Sequence, residues 1–385
     1  MGNIIRKIAL TIISIFVGAY ENSRDACLCF LGKDRHVYLD KEGGLPPPEK
    51  QGRVAVVALW PSSTSLPFTL NLLNGLADNG FFILVVTTRR LSGMIGDVVL
   101  ANCHNYIERY PIGRDFGSYK MGLTWLRARR LMETSDTLFL GNDSMYYTRS
   151  ITTTIAEMLS SDSDWIGLFE SFERHYHIGS FLQIFRRPVF TSRAFDEFWR
   201  HYKVYSSREH TIGRGEVGLS TCISRNGFRP YVHLNSIKIG DVVESYLNAD
   251  CEGSVKSAII ATMGNMWVQK TAHERAILSV IDYLYSRTDQ SRKGARARIV
   301  ASMMGRAAER RNPTHSVGIL CNALFEAPIK RDICYRGTHS IGELVRMAMG
   351  FSDSEKDAML SDLKSKGIVI NSGRIERLLA AIGRR

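Results

Sequence analysis

Five short stretches of this sequence place side chains that could bind an anion or move a proton. In the first, Asn142, Asp143 and Ser144 directly follow an apolar, strand-like run. A carboxylate at a strand end can hold Mg²⁺ or Mn²⁺ against a diphosphate, because hard cations prefer oxygen ligands. Asn142 could add a neutral oxygen or bind the ligand, and Ser144 could hold a phosphate. The alternative is a strand-to-helix turn in which these residues have an Asx or capping role.

The second stretch, GRDFGSYK, clusters Arg114, Asp115 and Lys120 beside two glycines. It is expected to open a helix, and helix N-termini favour anions. Arg114 could pair with a phosphate through two parallel hydrogen bonds. An Arg–Asp ion pair on a solvated turn is the alternative interpretation.

The third stretch, GRGEVGLS, places Glu216 after a glycine-rich turn and at the start of an apolar helical segment. A glutamate there could act as a general base for an acceptor hydroxyl. A carboxylate at a helix start could equally serve only to satisfy the helix dipole.

The two remaining stretches contain histidines. His175 and His177 have the spacing of a strand-borne metal pair, but without a cysteine or acidic partner nearby they read as ordinary polar positions. His315 stands at the exit of an Asn-Pro turn, in the sequence NPTH. In the following APIKRD segment, Lys330 and Arg331 could face an anion.

Composition and charge narrow the class of partner. The chain has 385 residues, 44% hydrophobic and 23% charged, which is typical of a globular protein. Its formal charge of +12 favours nucleic acid, an anionic membrane surface or a phosphorylated small molecule. The basic residues are dispersed and no nucleic-acid-binding motif occurs, so nucleic acid is not expected as a partner. Seven cysteines without a CxxC pair indicate a reducing cytoplasm.

The N-terminal segment has two interpretations. Arg6 and Lys7 precede an apolar run, Ile8 to Tyr20, that is shorter than the roughly 20 residues needed to span a bilayer. It could be the core of a signal peptide or an interfacial helix held by its apolar side and its two cations. Residues 40–52, rich in glycine and proline, are expected to form a linker to the folded part.

The elements that must position these residues alternate between strand and helix. Short β-branched runs and helical spacings predict a largely parallel sheet with helices on both faces. Beyond about residue 245 the pattern becomes helical, with candidate helices at 272–287 and 299–311 and a capping box at Ser352 to Glu355. Three regions are therefore expected: residues 1–50 as an N-terminal helix and linker, 51–245 as an α/β domain, and 246–385 as a mostly helical C-terminal region that carries the NPTH segment.

Taken in order, these stretches resemble the rhamnan synthesis protein F family of bacterial polysaccharide glycosyltransferases. The resemblance covers roughly residues 50–335. It rests on the segments Gly113–Lys120, Asn142–Ser144, Ile166–Ser171, His177–Phe181, Glu216–Ser220, Asn312–His315 and Pro328–Arg331.

The resemblance implies an α/β fold of the GT-A-like type and a nucleotide-sugar-dependent transferase. It makes residues 51–245 the nucleotide-sugar-binding catalytic domain. It implies that Asp143 coordinates a divalent cation, Mn²⁺ or Mg²⁺, that bridges the diphosphate, and that His315 returns to the same metal. Glu216 matches the position that deprotonates the acceptor. The residues implied at the nucleotide are Arg114, Asp115, Lys120, Asn142 and Ser144.

The same resemblance suggests dTDP-rhamnose as donor and a growing, lipid-linked glycan as acceptor. Inversion at the anomeric carbon is expected, because Glu216 fits a base better than any residue here fits a covalent nucleophile. Nucleotide sugars are cytosolic, so the N-terminal helix is expected to remain uncleaved. The protein would then lie peripherally at the inner face of the membrane, where its positive charge suits an anionic leaflet.

Two other classes of protein remain open at this point. A catalytically inactive scaffold of a polysaccharide assembly complex is one, because a single carboxylate in Asn-Asp-Ser weakens metal affinity. A serine hydrolase using Ser144 is the other, although the chain lacks the G-x-S-x-G elbow that such enzymes place before a helix.

Overall fold

The computed structural model describes residues 2–48, 52–91, 93–173, 175–249, 254–268, 293–310, 312–334 and 339–365. The strands in these residues are β1 (Val37–Glu42), β2 (Arg53–Leu59), β3 (Phe82–Thr87), β4 (Asn105–Arg109), β5 (Thr137–Asn142), β6 (Met145–Tyr146), β7 (Trp165–Gly167), β8 (Glu170–Ser171), β9 (His177–Ile178), β10 (Leu182–Arg186), β11 (Pro230–Val232) and β12 (Ile329–Lys330).

Helices cover most of the rest of the described chain. They are α1 (Gly2–Phe30), α2 (Leu66–Asp78), α3 (Met94–Ala101), α4 (Arg114–Ala128), α5 (Ile151–Leu159), α6 (Arg187–Phe190), α7 (Arg193–His201), α8 (Arg208–His210), α9 (Val217–Arg225), α10 (Ser236–Asn248), α11 (Ser254–Val268), α12 (Lys293–Arg310), α13 (Pro313–Ser316), α14 (Gly318–Phe325), α15 (Ile341–Met347) and α16 (Asp353–Ser365). A 3₁₀ turn occupies Lys33–Arg35, and a π-helical segment occupies Thr211–Glu216.

The main sheet has eight strands in the order β1-β4-β3-β2-β5-β10-β7-β11. Neighbouring pairs among β4, β3, β2 and β5 are parallel, and β11 is parallel to β7. β10 runs antiparallel to both β5 and β7, and β1 runs antiparallel to β4. Six of the eight strands therefore share one direction, and β5 ends near the middle of the sheet.

Helices cover both faces of the sheet. Because successive strand residues point to opposite faces, β2 contributes to two separate cores. Ala55 and Val57 pack in the core that includes the α2 residue Leu72, while Val54 and Val56 pack in the core that includes the α4 residue Leu123. The expected α/β fold class, a mostly parallel sheet with flanking helices and a helical C-terminal region, is confirmed.

Of three further sequence expectations, one needs correction, one lies outside the described residues and one is confirmed. The linker expected over residues 40–52 starts too early, because Val37–Glu42 forms the edge strand β1. All six β1 side chains are exposed, so the strand lacks the buried pattern that would reveal it. The helix expected at 272–287 lies outside the described residues. The capping box is confirmed, since the Ser352 Oγ accepts from the Glu355 amide and the Glu355 carboxylate accepts from the Ser352 amide.

Candidate functional site

The end of β5 places Asp143 at the carboxyl edge of the main sheet. Its amide donates to the Ala58 carbonyl at the end of the neighbouring strand β2, at 3.3 Å. Its Oδ2 atom accepts a hydrogen bond of 2.8 Å from the Trp60 amide. Ligands of open α/β sheets gather at this edge, so the backbone brings the carboxylate to the position expected from the sequence.

Asn142 is buried and organises the residues around it. Its side-chain amide donates to Asp115 Oδ2 at 3.0 Å and to the Tyr119 hydroxyl at 3.1 Å. Its Oδ1 atom accepts from the Ser144 amide at 3.0 Å, which is the Asx turn considered as an alternative. Asn142 therefore positions Asp115 and Ser144 at the same time.

The turn before α4 is held in an unusual backbone conformation. Gly113 has φ 76°, and Arg114, a non-glycine residue, has φ 48°. Such a conformation costs free energy and persists only where neighbours fix it. Arg109, only 1% exposed, donates to the Arg114 carbonyl at 2.8 Å and to the Ser118 hydroxyl at 3.1 Å. This buried guanidinium fixes the turn that carries Asp115 into the site.

Lys120 is the predicted nucleotide-binding residue that the structure places elsewhere. Its Nζ atom donates to the carbonyls of Tyr202 at 2.6 Å and Arg200 at 3.2 Å. Lys120 lies almost two helical turns beyond Arg114 on α4, and the helix carries its side chain toward α7. It ties two helices together and does not line the cavity described below.

Glu216 ends the π-helical segment, where the sequence predicted a glycine-rich turn. The wider coil lets Gly215 approach the ring of Phe116, where an added Cβ would lie 3.0 Å from ring atoms. Single π-helical turns often occur at functional sites. The Glu216 Oε1 atom accepts from the Ser180 hydroxyl at 2.5 Å and from the Ser180 amide at 3.4 Å.

A short strand from the C-terminal region is added beside Asp143. β12 pairs antiparallel with β6, directly after the β5 end, and the Arg331 amide donates to the Ser144 carbonyl at 3.1 Å. The pairing brings the Lys330 Nζ atom to 2.8 Å from the Ser144 hydroxyl. It also brings Arg331 Nη1 to 3.0 Å from the Asp143 carbonyl and 3.6 Å from its Oδ2.

Arg331 bridges two carboxylates in a largely buried position. Its Nη2 atom lies 3.2 Å from Asp362 Oδ1, and Asp362 also accepts from the Tyr146 hydroxyl at 2.7 Å. The nearby Asp143 and Asp362 charges raise the pKa of Arg331, while burial acts in the opposite direction. The guanidinium therefore links helix α16 to the end of β5.

His315 has an acidic partner within the same region. Its Nε2 atom lies 2.7 Å from Asp332 Oδ1. Asn312 caps the short helix α13 by accepting from the Thr314 amide at 3.1 Å, as its Asn-Pro turn suggests. The partner of His315 is thus Asp332, where the resemblance implied a metal shared with Asp143.

These elements surround one cavity of about 940 Å³. Its lining includes seven of the eight predicted site residues, namely Arg114, Asp115, Asn142, Asp143, Ser144, Glu216 and His315. It also includes Lys330, Arg331, Asp332 and Ser180. A volume of this size suits a ligand as large as a nucleotide sugar.

The Asp115 carboxyl has a raised pKa within the cavity. Burial and the nearby Asp143 charge together raise the pKa of this carboxyl to about 6, although Lys330 and Arg114 act in the opposite direction. The carboxyl is therefore partly protonated near neutral pH. Two close carboxylates and a nearby cation are typical of a site built for charged substrates.

The donor set does not make a preformed metal site. Asp143 Oδ2 already meets the Trp60 amide and the Arg331 guanidinium, and His315 Nε2 meets Asp332. Within the described residues, no group of three His, Cys, Asp or Glu side chains could hold a metal ion. Among the residues that the structure describes, the divalent cation implied by the resemblance therefore has no assembled set of protein ligands.

Ser144 has no histidine beside it as a general base. Its hydroxyl lies beside the Lys330 ammonium, whereas the cavity histidine His315 is paired with Asp332. A serine nucleophile needs an adjacent general base to accept its proton. The described contacts therefore do not favour a hydrolase of the Ser-His type, and only a Ser-Lys arrangement would fit that interpretation.

Sequence reasoning assigned no role to three residues that shape the site. Ser180 contacts Glu216, Arg109 fixes the turn before Asp115, and Asp332 pairs with His315. Ser180 lies within a segment that carries the family resemblance, which is the one signal that could have identified it. Arg109 reaches from the end of β4 to the turn five residues later, and Asp332 pairs with a histidine 17 residues earlier, and spacing alone reveals neither contact.

The chain is similar in sequence to a curated protein and has matches among solved structures. A curated relative, the uncharacterized protein y4gN of Sinorhizobium fredii (strain NBRC 101917 / NGR234), is 26% identical over 210 residues, covering 52% of this chain and 54% of that protein. The chain thus spans about half the length of this relative. Among solved structures, a mannosyltransferase from Pyrobaculum calidifontis in complex with GDP-Man and Mn²⁺ is 12% identical, with a TM-score of 0.32, and covers 77% of this chain and 97% of its own.

A family model gives the most direct assignment. The model described as rhamnan synthesis protein F matches residues 83–293, which include the turn before α4, the end of β5 and Glu216. The match extends over more than half of the chain. The protein therefore belongs to the rhamnan synthesis protein F family, as its motifs predict.

Proposed function

We propose that this protein is a nucleotide-sugar-dependent glycosyltransferase that acts in polysaccharide synthesis. The observation that carries the proposal is the convergence of residues from widely separated stretches on one cavity at the carboxyl edge of the sheet. Asp115, Asp143, Glu216 and Lys330 all line it. Family membership supports a role in glycan synthesis, and the cavity offers both carboxylates and cations for a phosphorylated sugar donor.

Glu216 is the proposed general base of an inverting transfer. Its carboxylate takes the proton of an acceptor hydroxyl while the hydroxyl oxygen forms a bond to the anomeric carbon of the donor. The bond between that carbon and the diphosphate oxygen breaks, and its electron pair leaves with the diphosphate. A single displacement of this kind inverts the anomeric centre. The contact between Glu216 and Ser180 orients the carboxylate.

The donor and acceptor are proposed from the family resemblance. We infer dTDP-rhamnose as donor and a lipid-linked glycan as acceptor. Purified protein would be incubated with dTDP-rhamnose, UDP-sugars and GDP-sugars and with a lipid-linked acceptor, with and without Mn²⁺ or EDTA. NMR of the product reports the anomeric configuration. Retention of configuration would remove the inverting mechanism, and comparison of the Mn²⁺ and EDTA arms tests the divalent cation.

An inactive scaffold is a second candidate function. It is favoured by the engagement of Asp143 with Arg331, at 3.6 Å, in a site without assembled metal ligands. Calorimetry with dTDP and with other nucleoside diphosphates, in the presence and absence of Mn²⁺, separates the two functions. An absence of nucleotide binding under every condition would favour the scaffold.

We also propose that helix α1 lies on an anionic membrane surface. Ile12, Ile15, Phe16 and Tyr20 are spaced along one side of α1 and are between 47% and 72% exposed. The far end of the helix is anchored to the domain, since the buried Asp25 accepts from the Ser206 amide at 2.6 Å. Among the helices that the structure describes, none has the length and apolar content to cross a bilayer.

Vesicle binding tests the membrane proposal. The Phe16→Ser variant is expected to lower the fraction of protein that sediments with phosphatidylglycerol vesicles, because burial of its ring drives interfacial binding. Met94→Ser is the matched control, since Met94 is also 72% exposed but lies on α3. Equal loss in both variants, or no loss in either, would contradict the proposal.

A further inference from the structure

Lys330, at the end of β12, and the next residue, Arg331, differ in whether their charges form ion pairs within the protein. Arg331 is shared between Asp143 and Asp362, so its charge is used within the protein. The Lys330 ammonium instead contacts a neutral hydroxyl, Ser144 Oγ, at 2.8 Å. It also lies 5.4 Å from the centre of the Phe181 ring. Among the described carboxylates, none forms an ion pair with it.

Lys330 lies beside the end of β5, at the carboxyl edge of the sheet where ligands of open α/β folds gather. The residue lines the cavity, and its strand pairs with β6 one residue after Ser144. The Ser144 hydroxyl can orient the ammonium without forming an ion pair, so the charge, which also acts on the Asp115 carboxyl, remains available to a ligand. A lysine in such a place acts as a point charge for phosphate, with further donors free to rotate toward a ligand.

We propose that Lys330 binds the diphosphate of the donor and stabilises the negative charge that develops as the diphosphate leaves. Ser144 positions the ammonium, and Arg331 keeps β12 in place through Asp143 and Asp362. The inference rests on the proposed function and assigns part of the charge neutralisation to a residue of the C-terminal region. It also accounts for a donor site in which the described residues assemble no metal ligands.

Equilibrium binding of nucleoside diphosphates to the full chain tests the inference. dTDP, UDP and GDP would be titrated in Mn²⁺ and in EDTA, and inorganic pyrophosphate would be used as a competitor. Lys330→Met is expected to weaken the binding of the preferred diphosphate by about 10- to 100-fold in both conditions, as the loss of one charged hydrogen bond predicts. Lys330→Arg should restore most of the affinity, because it keeps the charge.

Lys364→Met is the matched control. Lys364 lies on α16 in the same C-terminal region, is exposed and does not line the cavity. Thermal unfolding of each variant separates lost binding from lost folding. The proposal is overturned if Lys330→Met and Lys364→Met bind a diphosphate as tightly as the wild type does.

The outcomes also separate this inference from the proposed function. Wild-type binding that Lys330→Met leaves unchanged would remove the role of Lys330 and keep the transferase proposal. If the wild type binds no nucleoside diphosphate, the transferase proposal fails. In that case, pyrophosphate binding tests the role of Lys330. If the wild type binds pyrophosphate and Lys330→Met does not, Lys330 forms an anion site. If the wild type does not bind pyrophosphate, the proposal for Lys330 is overturned.

Discussion

The sheet wall and the C-terminal wall of the cavity differ in charge and in construction. The sheet wall, defined by Asp115, Asp143 and Glu216, is acidic and is built on the ends of regular elements of the α/β domain. The C-terminal wall, defined by Lys330 and Arg331, is basic and is held by a two-residue strand pairing. The difference suggests a division of labour, in which one wall removes a proton from the acceptor and the other holds an anionic donor.

The largest effect is expected when the proposed proton acceptor on the sheet wall is removed. Glu216→Gln keeps the size and the contact with Ser180 but removes the proton acceptor. Transfer is expected to slow by about 10²- to 10⁴-fold, the usual contribution of a general base. Nucleoside diphosphate binding should stay within about twofold, because the donor is assigned to the other wall. Initial rates of sugar transfer and calorimetry measure the two quantities.

A result with normal transfer would remove Glu216 as the base. Ser180→Ala provides the control, because it removes only the hydroxyl that orients Glu216 at 2.5 Å. It should slow transfer less than Glu216→Gln does and should not affect diphosphate binding.

The next effect concerns the contact between the two walls. Arg331→Met leaves Asp143 and Asp362 without their shared guanidinium partner. Breaking a buried ion pair in this way typically costs about 3–5 kcal/mol of the free energy of unfolding. Urea denaturation followed by circular dichroism measures the loss. The double variant Arg331→Met with Asp362→Asn should recover part of it, because one of the two carboxylates that lose the guanidinium is then neutral.

A loss of stability below about 1 kcal/mol in Arg331→Met would mean that water already screens these charges. The C-terminal wall would then be held by β12 alone. In that case Asp362→Asn by itself should also be nearly neutral.

The smallest expected effect concerns the pKa of Asp115 in the sheet wall. The pKa of Asp115 is raised to about 6, above its ordinary value of 3.8. The folded protein therefore binds this proton more tightly than the unfolded chain. The associated stability is present below pH 4 and is lost as the pH rises through 6.

Asp115→Asn removes this titration while keeping an acceptor for Asn142. Relative to the wild type, the variant should gain roughly 1–3 kcal/mol of unfolding free energy between pH 4 and pH 8. Urea denaturation at both pH values measures this difference. The exposed Asp357→Asn on α16 should show no such change with pH. A flat difference for Asp115→Asn would mean that its carboxyl is better solvated than the structure indicates.

The fold was predictable from the sequence wherever burial leaves a pattern. Short β-branched runs predicted buried strands, and β3 (Phe82–Thr87), which is buried from Ile83 onward, lies at one of these runs. The exposed edge strand β1 has no such pattern and was missed. The π-helical segment before Glu216 was also missed, because two glycines indicate a turn as readily as a widened coil.

The site was predictable where its residues are neighbours in sequence, and less predictable where separate elements pack together. The arrangement of Asn142, Asp143 and Ser144 follows from the end of one strand. The burial of Lys120 against α7 and the pairing of His315 with Asp332 depend on packing between separate elements. Such contacts are set by three-dimensional distances, so residue type and spacing could not reveal them.

The late position of β12 in the chain has a consequence for biosynthesis. All strands of the main sheet are complete at Val232, almost a hundred residues before Ile329 emerges from the ribosome. A nascent or prematurely terminated chain can therefore carry the whole acidic wall and still lack both basic residues. By the proposed division of labour, such a product would bind a sugar donor less tightly than the complete enzyme, which would limit futile consumption of activated sugar.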